Sequence, residues 1–402
     1  MHMNSKLMNV TCPACGLLCD DIVVDTSQEG CVVDKACGKG MTFFNSNISN
    51  ASPRIAGKTV DLAQAIQRVA EILNTSKNAI FSGLSTDLSG FRAAYQVAQV
   101  TKATMVHMNA QSSWRNMHVL QSSGWQTTTL TEVKNRADVI LCIGTDVVKH
   151  NPRFFERNVW VKDAMFVTPS ARDIIYLGGQ DLDASGGVTP DGVKPTVLPC
   201  NIDCMPEVTA ALRALIQGKT LAVKEVAGIA IADLQNVVER LKNARYAVLV
   251  WVAKDLDFSY AELTIQNITE SVVTLNQKSR AMGLALGGSD GDTTVNYAHT
   301  WLSALAPDEH DIADYDAVVW VNSFSPEKLM PKVDVPVIAI GHPSMKFEQV
   351  PDVFIPVATP ALDCAGTLFR VDSSVVLPLK KIRESQLPTL ADVMVKLEAL
   401  LK

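Results

Sequence analysis

Long apolar runs are missing from this sequence. None approaches the roughly 18 residues that a membrane-spanning helix needs. No apolar segment precedes the first cysteines, so the opening Met-His-Met-Asn-Ser-Lys is not expected to act as a secretory leader. Positive charge is also short. Lys and Arg number 36 against 42 Asp and Glu, a net charge of −6, which disfavours non-specific binding to nucleic acid. Charged residues of all kinds make up 19% and hydrophobic ones 47%. That balance permits large cores and broad subunit contacts, and 402 residues suffice for two or three domains. Two motifs are absent: H-E-x-x-H and Walker A. The zinc-protease and P-loop chemistries therefore have no anchor.

Cysteine is the residue present in an informative pattern. Cys12, Cys15, Cys19 and Cys37 are spaced C-x2-C-x3-C-x17-C. Zinc and iron–sulfur clusters both take four thiolates, and the remaining reading is free thiols in a reducing cytoplasm. Glycines follow Cys15 and Cys37 and would let backbone amides turn toward sulfur. The odd total of nine argues against a disulfide framework. Cys200 and Cys204, four apart beside a proline, read as packing residues, and Cys142 and Cys364 as inert.

Along the chain, residues 8–50 read as a small irregular cap with a strand at 20–25. Leu62, Ile66, Val69 and Leu73 then recur at helical spacing. Apolar strands are expected at 79–83, 106–108, 139–144 and 165–168, with helices between them. The second half repeats the layout with strands at 246–252, 317–322 and 336–341, offset by about 170 residues. Alternating strands and helices point to doubly wound sheets in two similar α/β lobes. The expected divisions are 1–55 for the cap, 56–220 and 221–352 for the lobes, and 353–402 for a closing segment packed on them. Trp251, Trp301 and Trp320 read as core. In open α/β sheets, ligands sit beyond the carboxyl ends of strands, which selects the loops 144–153, 287–292 and 341–346. Asp290 and Asp292 would repel a pyrophosphate, so a solvated turn is the expectation for 287–292.

Longer phrases carry a family resemblance. CPACGLLCDDI, ACGKG, the segments 130–144 and 151–153, and the closing 365–372 and 378–381 resemble the B subunit of formylmethanofuran dehydrogenase. The same type of subunit occurs in the related formyltransferase/hydrolase complex of C1-metabolising bacteria. The resemblance implies a molybdopterin-oxidoreductase-like fold and a possible [4Fe–4S] cluster on Cys12, Cys15, Cys19 and Cys37. It also implies a thiolate ligand to tungsten or molybdenum in the region 110–117. This chain has Ser112 and Ser113 there and no cysteine, and Trp114-Arg115-Asn116 where the family has His-Gly-Pro. A hydroxyl replaces a soft thiolate poorly. The implied protein is a redox-inactive scaffold in methanofuran- and tetrahydromethanopterin-linked one-carbon metabolism, with no catalytic residue assigned and no pterin metal. Its implied partners in the formyltransferase/hydrolase complex are the amidohydrolase-like A subunit, the formyltransferase subunit and the C subunit. The alternative is an active tungsten- or molybdenum-pterin formylmethanofuran dehydrogenase. In the scaffold reading Trp114, Arg115 and the 287–292 loop fill space once shaped for pterins, and Arg115 pairs with Asp290 or Asp292.

Overall fold

The computed structural model describes residues 7–25, 32–46, 51–179 and 181–401. Strands β1 (Leu7–Val10), β2 (Ile22–Asp25) and β3 (Val32–Asp34) form a small antiparallel sheet, and α1 (Gly38–Phe44) follows. A hairpin of β4 (Arg54–Ile55) and β5 (Lys58–Thr59) leads to α2 (Leu62–Thr75). Asp61 starts α2 with a capping box: its carboxylate accepts the Gln64 N–H at 2.8 Å, and the Gln64 side chain accepts the Asp61 N–H at 3.3 Å. Ala65, Ile66, Val69 and Leu73 form the buried face that the helical spacing predicts. Next come β6 (Ala79–Ser85), buried at every residue, α3 (Leu88–Thr101) and β7 (Thr104–Met105). The chain continues through α4 (Ala110–Ser123), α5 (Leu130–Arg136), β8 (Val139–Ile143), α6 (Val147–His150), β9 (Asp173–Gly178) and β10 (Thr196–Pro199). After α7 (Met205–Ile216), the short pair β11 (Glu225–Val226) and β12 (Ile229–Ala230) leads into α8 (Ile231–Asn243). Then follow β13 (Ala247–Trp251), α9 (Ala261–Leu275), β14 (Ala281–Ala285) and α10 (Asp292–Ser303). The last stretch holds β15 (Ala317–Asn322), β16 (Val337–Gly341), β17 (Val353–Pro356), β18 (Gly366–Phe369), β19 (Val376–Leu379) and α11 (Leu390–Leu401).

The chain forms two compact units. One contains Met1–Ala110, Gly288–Arg370 and Val375–Lys402, and the other Gln111–Gly287 with Val371–Ser374. The first unit's main sheet runs β5-β4-β17-β16-β15-β6-β7, parallel from β17 to β7. The second unit's sheet is parallel throughout, in the order β10-β9-β8-β13-β14. Placed side by side, the orders β17-β16-β15-β6-β7 and β10-β9-β8-β13-β14 correspond strand for strand. The repeat seen in the sequence is thus present, but its halves are exchanged. Strands β6 and β7 join β15, β16 and β17 from the second half, while β13 and β14 join β8, β9 and β10 from the first. The compact units therefore do not follow the boundaries at 220 and 352.

Burial explains where the other sequence expectations hold and fail. No strand forms at 165–168, because Met165 and Phe166 are exposed and Phe166 lies under the Arg136 guanidinium, 4.2 Å from its centroid. The strand is β9, whose Ile174 to Leu177 are buried. The strand expected at 106–108 is shorter and earlier, as β7. Trp251 and Trp320 are core, but Trp301 is 66% exposed. The closing segment supplies the expected strands and also α11, which packs on α2 and α3 through Val393, Met394 and Leu397. Among the described residues no helix is long and apolar enough to cross a membrane.

Candidate functional site

In the first unit the cysteine-rich cap rests on residues just beyond the carboxyl ends of the parallel strands. Leu18 packs with Phe324, which follows β15, and with Ala361, Leu368 and Leu379. The turn that carries the thiols is closed by its own backbone: the Cys12 N–H donates to the Cys19 carbonyl at 2.9 Å and the Leu18 N–H to that of Cys15 at 3.2 Å. Cys37 starts α1, and Gly40 one turn later lets that helix approach. A Cβ at Gly40 would stand 3.2 Å from the Cys12 Sγ. Cys12, Cys15 and Cys19 are buried and Cys37 half-buried. Burial pushes the Cys12 thiol well above the ordinary range, and the neighbouring thiols of Cys15, Cys19 and Cys37 push it further. All four residues thus share one neighbourhood, and their thiols suit an iron–sulfur site in donor type and burial. Among the described residues, however, no three His, Cys, Asp or Glu side chains stand ready as a metal-ligand group.

The 287–292 loop holds this cap rather than facing water. The Gly16 N–H donates to the Gly288 carbonyl at 2.8 Å, and a Cβ at Gly288 would meet the Gly16 Cα at 2.7 Å. Gly291, at φ +74°, fits against the Thr86 carbonyl, where a Cβ would stand at 2.4 Å. A helix amino-terminus favours an anion, and at α10 the chain supplies its own. The Asp292 carboxylate accepts the N–H groups of Ser289 at 3.1 Å and Thr293 at 2.6 Å, and the Asn109 amide at 3.2 Å. Asp290 is buried beneath the loop. Burial alone would raise its carboxyl, but the Ser325 hydroxyl and the Lys328 ammonium at 3.8 Å outweigh it and hold it below the usual range. His107 is buried too, which lowers its own pKa. Its Nε2–H donates to the Asp290 carbonyl at 3.2 Å and its Nδ1 accepts the Asn109 N–H at 3.0 Å, a neutral pattern. Sequence reading expected a solvated turn in this loop and did not pick out His107, Asn109 or Ser325.

At the third selected loop, His342 is buried beside the Asp363–Arg383 pair, which meets at 2.6 Å. A cavity of about 480 Å³ opens there, lined by Pro53, Pro343, Pro356, Asp363 and Arg383 among others.

In the second unit the loop after β8 is fastened to the loop after β13. Asp255 accepts the Thr145 hydroxyl at 2.8 Å and the Asp146 N–H at 3.1 Å, and pairs with His150 Nε2 at 2.6 Å. Burial raises the Asp255 carboxyl, but the bond and charge of His150 and the other two donors outweigh it, leaving it below the ordinary range. Asn151 grips Gly287 with two bonds, both at 2.8 Å. Helix α4 carries Ser112 and Ser113, both half-buried, and no cysteine. Arg115 on the same helix donates to the Ala253 carbonyl at 3.1 Å and pairs with Asp257. The expected pairing with Asp290 or Asp292 is therefore wrong: Asp290 is taken by Ser325 and Lys328, and Asp292 by backbone N–H groups and Asn109. Trp114 stacks on His118 at 5.7 Å. Nothing in the sequence marked Asp255 or Asp257, since isolated acids in a loop have no spacing to read.

No protein-family model matches the chain. Among curated proteins, it is 23% identical to the B subunit of tungsten-containing formylmethanofuran dehydrogenase 2 from Methanococcus maripaludis, over 96% of this chain and 95% of that protein. The resemblance seen in the sequence is borne out. The counterpart in Methanocaldococcus jannaschii is 22% identical over 94% of each. The B subunit of the formyltransferase/hydrolase complex Fhc of Methylorubrum extorquens is 24% identical over 78% of this chain and 87% of that one. Among solved structures, a chain of the Methylorubrum extorquens formyltransferase/hydrolase complex with methylofuran superposes with a TM-score of 0.72 at 21% identity, covering 87% of this chain and 98% of that one. Acetylene hydratase from Pelobacter acetylenicus gives a TM-score of 0.62 at 9% identity, covering 98% of this chain and 69% of that one. The molybdopterin-oxidoreductase-like α/β fold is the one the chain adopts.

Proposed function

We propose that this chain is the B subunit of a formyltransferase/hydrolase complex, serving as a cytoplasmic scaffold in methanofuran-linked one-carbon metabolism without pterin-metal chemistry of its own. Its partners in this reading are the amidohydrolase-like, formyltransferase and C subunits. The observation that carries the reading is helix α4. Where the resemblance calls for a thiolate, the helix has Ser112 and Ser113, followed by Trp114 and by Arg115, which is tied down at Ala253 and Asp257. The phosphate-type loop 287–292 supports it, because its helix amino-terminus already holds the Asp292 carboxylate. Formyl transfer and hydrolysis are not redox steps, so such a subunit can persist without its metal.

The thiols of Cys12, Cys15, Cys19 and Cys37 are the proposed donors for a [4Fe–4S] cluster, supported by their type and shared buried neighbourhood. A cluster there would supply one-electron chemistry, for which the scaffold reading has no use. Metal analysis of the anaerobically purified complex tests both statements. The expected result is no stoichiometric tungsten or molybdenum; iron and sulfide near four per chain would establish the cluster. One tungsten or molybdenum per chain would overturn the scaffold reading in favour of an active dehydrogenase.

A further inference from the structure

Trp301 is out of place for a tryptophan expected in the core, and its surroundings make the exposure meaningful. On α10, Tyr297 is 47% exposed and Trp301, one turn on, 66%. Leu305, just past the helix end, is 66% exposed as well. Tyr297 stacks on Phe369 of β18, with centroids 6.2 Å apart and rings 25° from parallel. Phe369 pairs in register with Val376 of β19, itself 46% exposed. The contacts thus join the β18–β19 hairpin and one face of α10 into a single apolar stripe within the first unit. Patches of this kind mark interaction surfaces, and tryptophan and tyrosine are the side chains that anchor them.

Charge tells what covers the stripe. From 281 through 327 the sequence holds no Lys or Arg. The segment after Leu305 carries Asp308, Glu309, Asp311 and Asp314, all exposed, and none of them forms an ion pair among the described residues. The carboxyl end of α10 adds partial negative charge at the same place. The hairpin end differs, since Arg370 lies there. The stripe is therefore polarised, with acid concentrated beyond Leu305.

We infer that the Tyr297–Trp301–Leu305 stripe docks another subunit of the complex through an apolar ridge bordered by Lys or Arg, which meet Asp308 to Asp314. The inference rests on the subunit reading above. A second copy of this chain suits the site less well: packed parallel it brings the acidic segment against itself, and packed antiparallel it answers four carboxylates with one basic residue of the hairpin turn, Arg370.

The test uses the intact complex from its native host, with a photo-crosslinking benzoylphenylalanine at position 305. Irradiation should join this chain to a different subunit, at a peptide with Lys or Arg flanking apolar residues. Changing Asp308, Glu309, Asp311 and Asp314 to their amides should remove the salt dependence of crosslinking. The pair Tyr297→Ser and Trp301→Ser should weaken subunit retention at least about tenfold while the isolated chain keeps its melting temperature. A crosslink to a second copy, or an intact complex with no crosslink at 305, overturns the surface and leaves the subunit reading standing. A chain that native mass spectrometry finds without partners before irradiation overturns the subunit reading, and the surface with it.

Discussion

His342 is 2% exposed, and burial, opposed by Asp363 and assisted by Arg383, lowers its pKa to about 4. An unfolded histidine titrates near 6.5. Between these values the unfolded chain holds the extra proton, so acid favours unfolding. The contribution is fully present above pH 6.5, falls as the pH drops toward 4, and then stops changing. Over that window His342 should cost on the order of 3 kcal/mol. Urea titrations at pH 7.5 and pH 4.5 should therefore differ less for His342→Gln than for the wild type; an unchanged difference would show that the imidazole is not what titrates. Trp251 offers a second residue-scale prediction. It is fully buried, rests 5.6 Å from Trp125, and donates its Nε1–H to Asn116 at 2.9 Å. Trp251→Ala should cost ~3–5 kcal/mol in denaturant unfolding. Replacing Ser112 and Ser113 by alanine should leave formyl transfer by the complex unchanged. Lost transfer in a fully assembled complex would give those hydroxyls a role that the scaffold reading denies them.

At the scale of elements, the loop that pins the cap decides the next prediction. Gly288 sits at φ +74° with Gly16 against it, so a methyl group there is strained and also pushes directly on the cysteine turn. Gly288→Ala should loosen the cap while the second unit stays closed. Timed labelling with a thiol reagent would show it: Cys12, Cys15 and Cys19 should react faster, with Cys142, fully buried in β8, still silent. Equal acceleration at Cys142 would mean general unfolding instead. Elements were the most legible level of the sequence. The buried strands β8, β13, β15 and β16 show as apolar runs, and β6 as a shorter one over Ala79 to Phe81, because both faces of a parallel sheet are covered. β9 was missed because Met165 and Phe166 offered a competing apolar pair a few residues earlier, and Phe166 spends its ring on Arg136 at the surface. Trp301 was misread for a related reason: helical spacing says which residues share a face, not whether that face is buried. The buried polar contacts around His107 and Asp255 join residues more than 100 positions apart, beyond the reach of any local pattern.

At the scale of the whole molecule, the exchange of strands between repeats makes a prediction that a simple division into halves would get backwards. A cut near residue 220 leaves β6 and β7 without β15, β16 and β17, and leaves β13 and β14 without β8, β9 and β10. Each piece then carries two incomplete sheets with open, apolar edges, which favours aggregation. The second unit, by contrast, is nearly continuous in sequence, from Gln111 to Gly287, and lacks only Val371–Ser374. That stretch holds all five strands of its parallel sheet and helices α7, α8 and α9. It also encloses its own core around Leu141, Leu212, Leu249, Trp251 and Ile265. Losing Val371–Ser374 removes the bond in which Asp372 accepts the Leu130 N–H at 2.8 Å, worth roughly 0.5–3 kcal/mol. A fragment of residues 111–287 should therefore be monomeric and melt cooperatively, with dispersed amide resonances. A fragment of residues 221–352 should do neither. If the second fragment folded and the first did not, the order β10-β9-β8-β13-β14 would be wrong, because the strand pairing β8–β13 that crosses residue 221 could not then be what stabilises the unit.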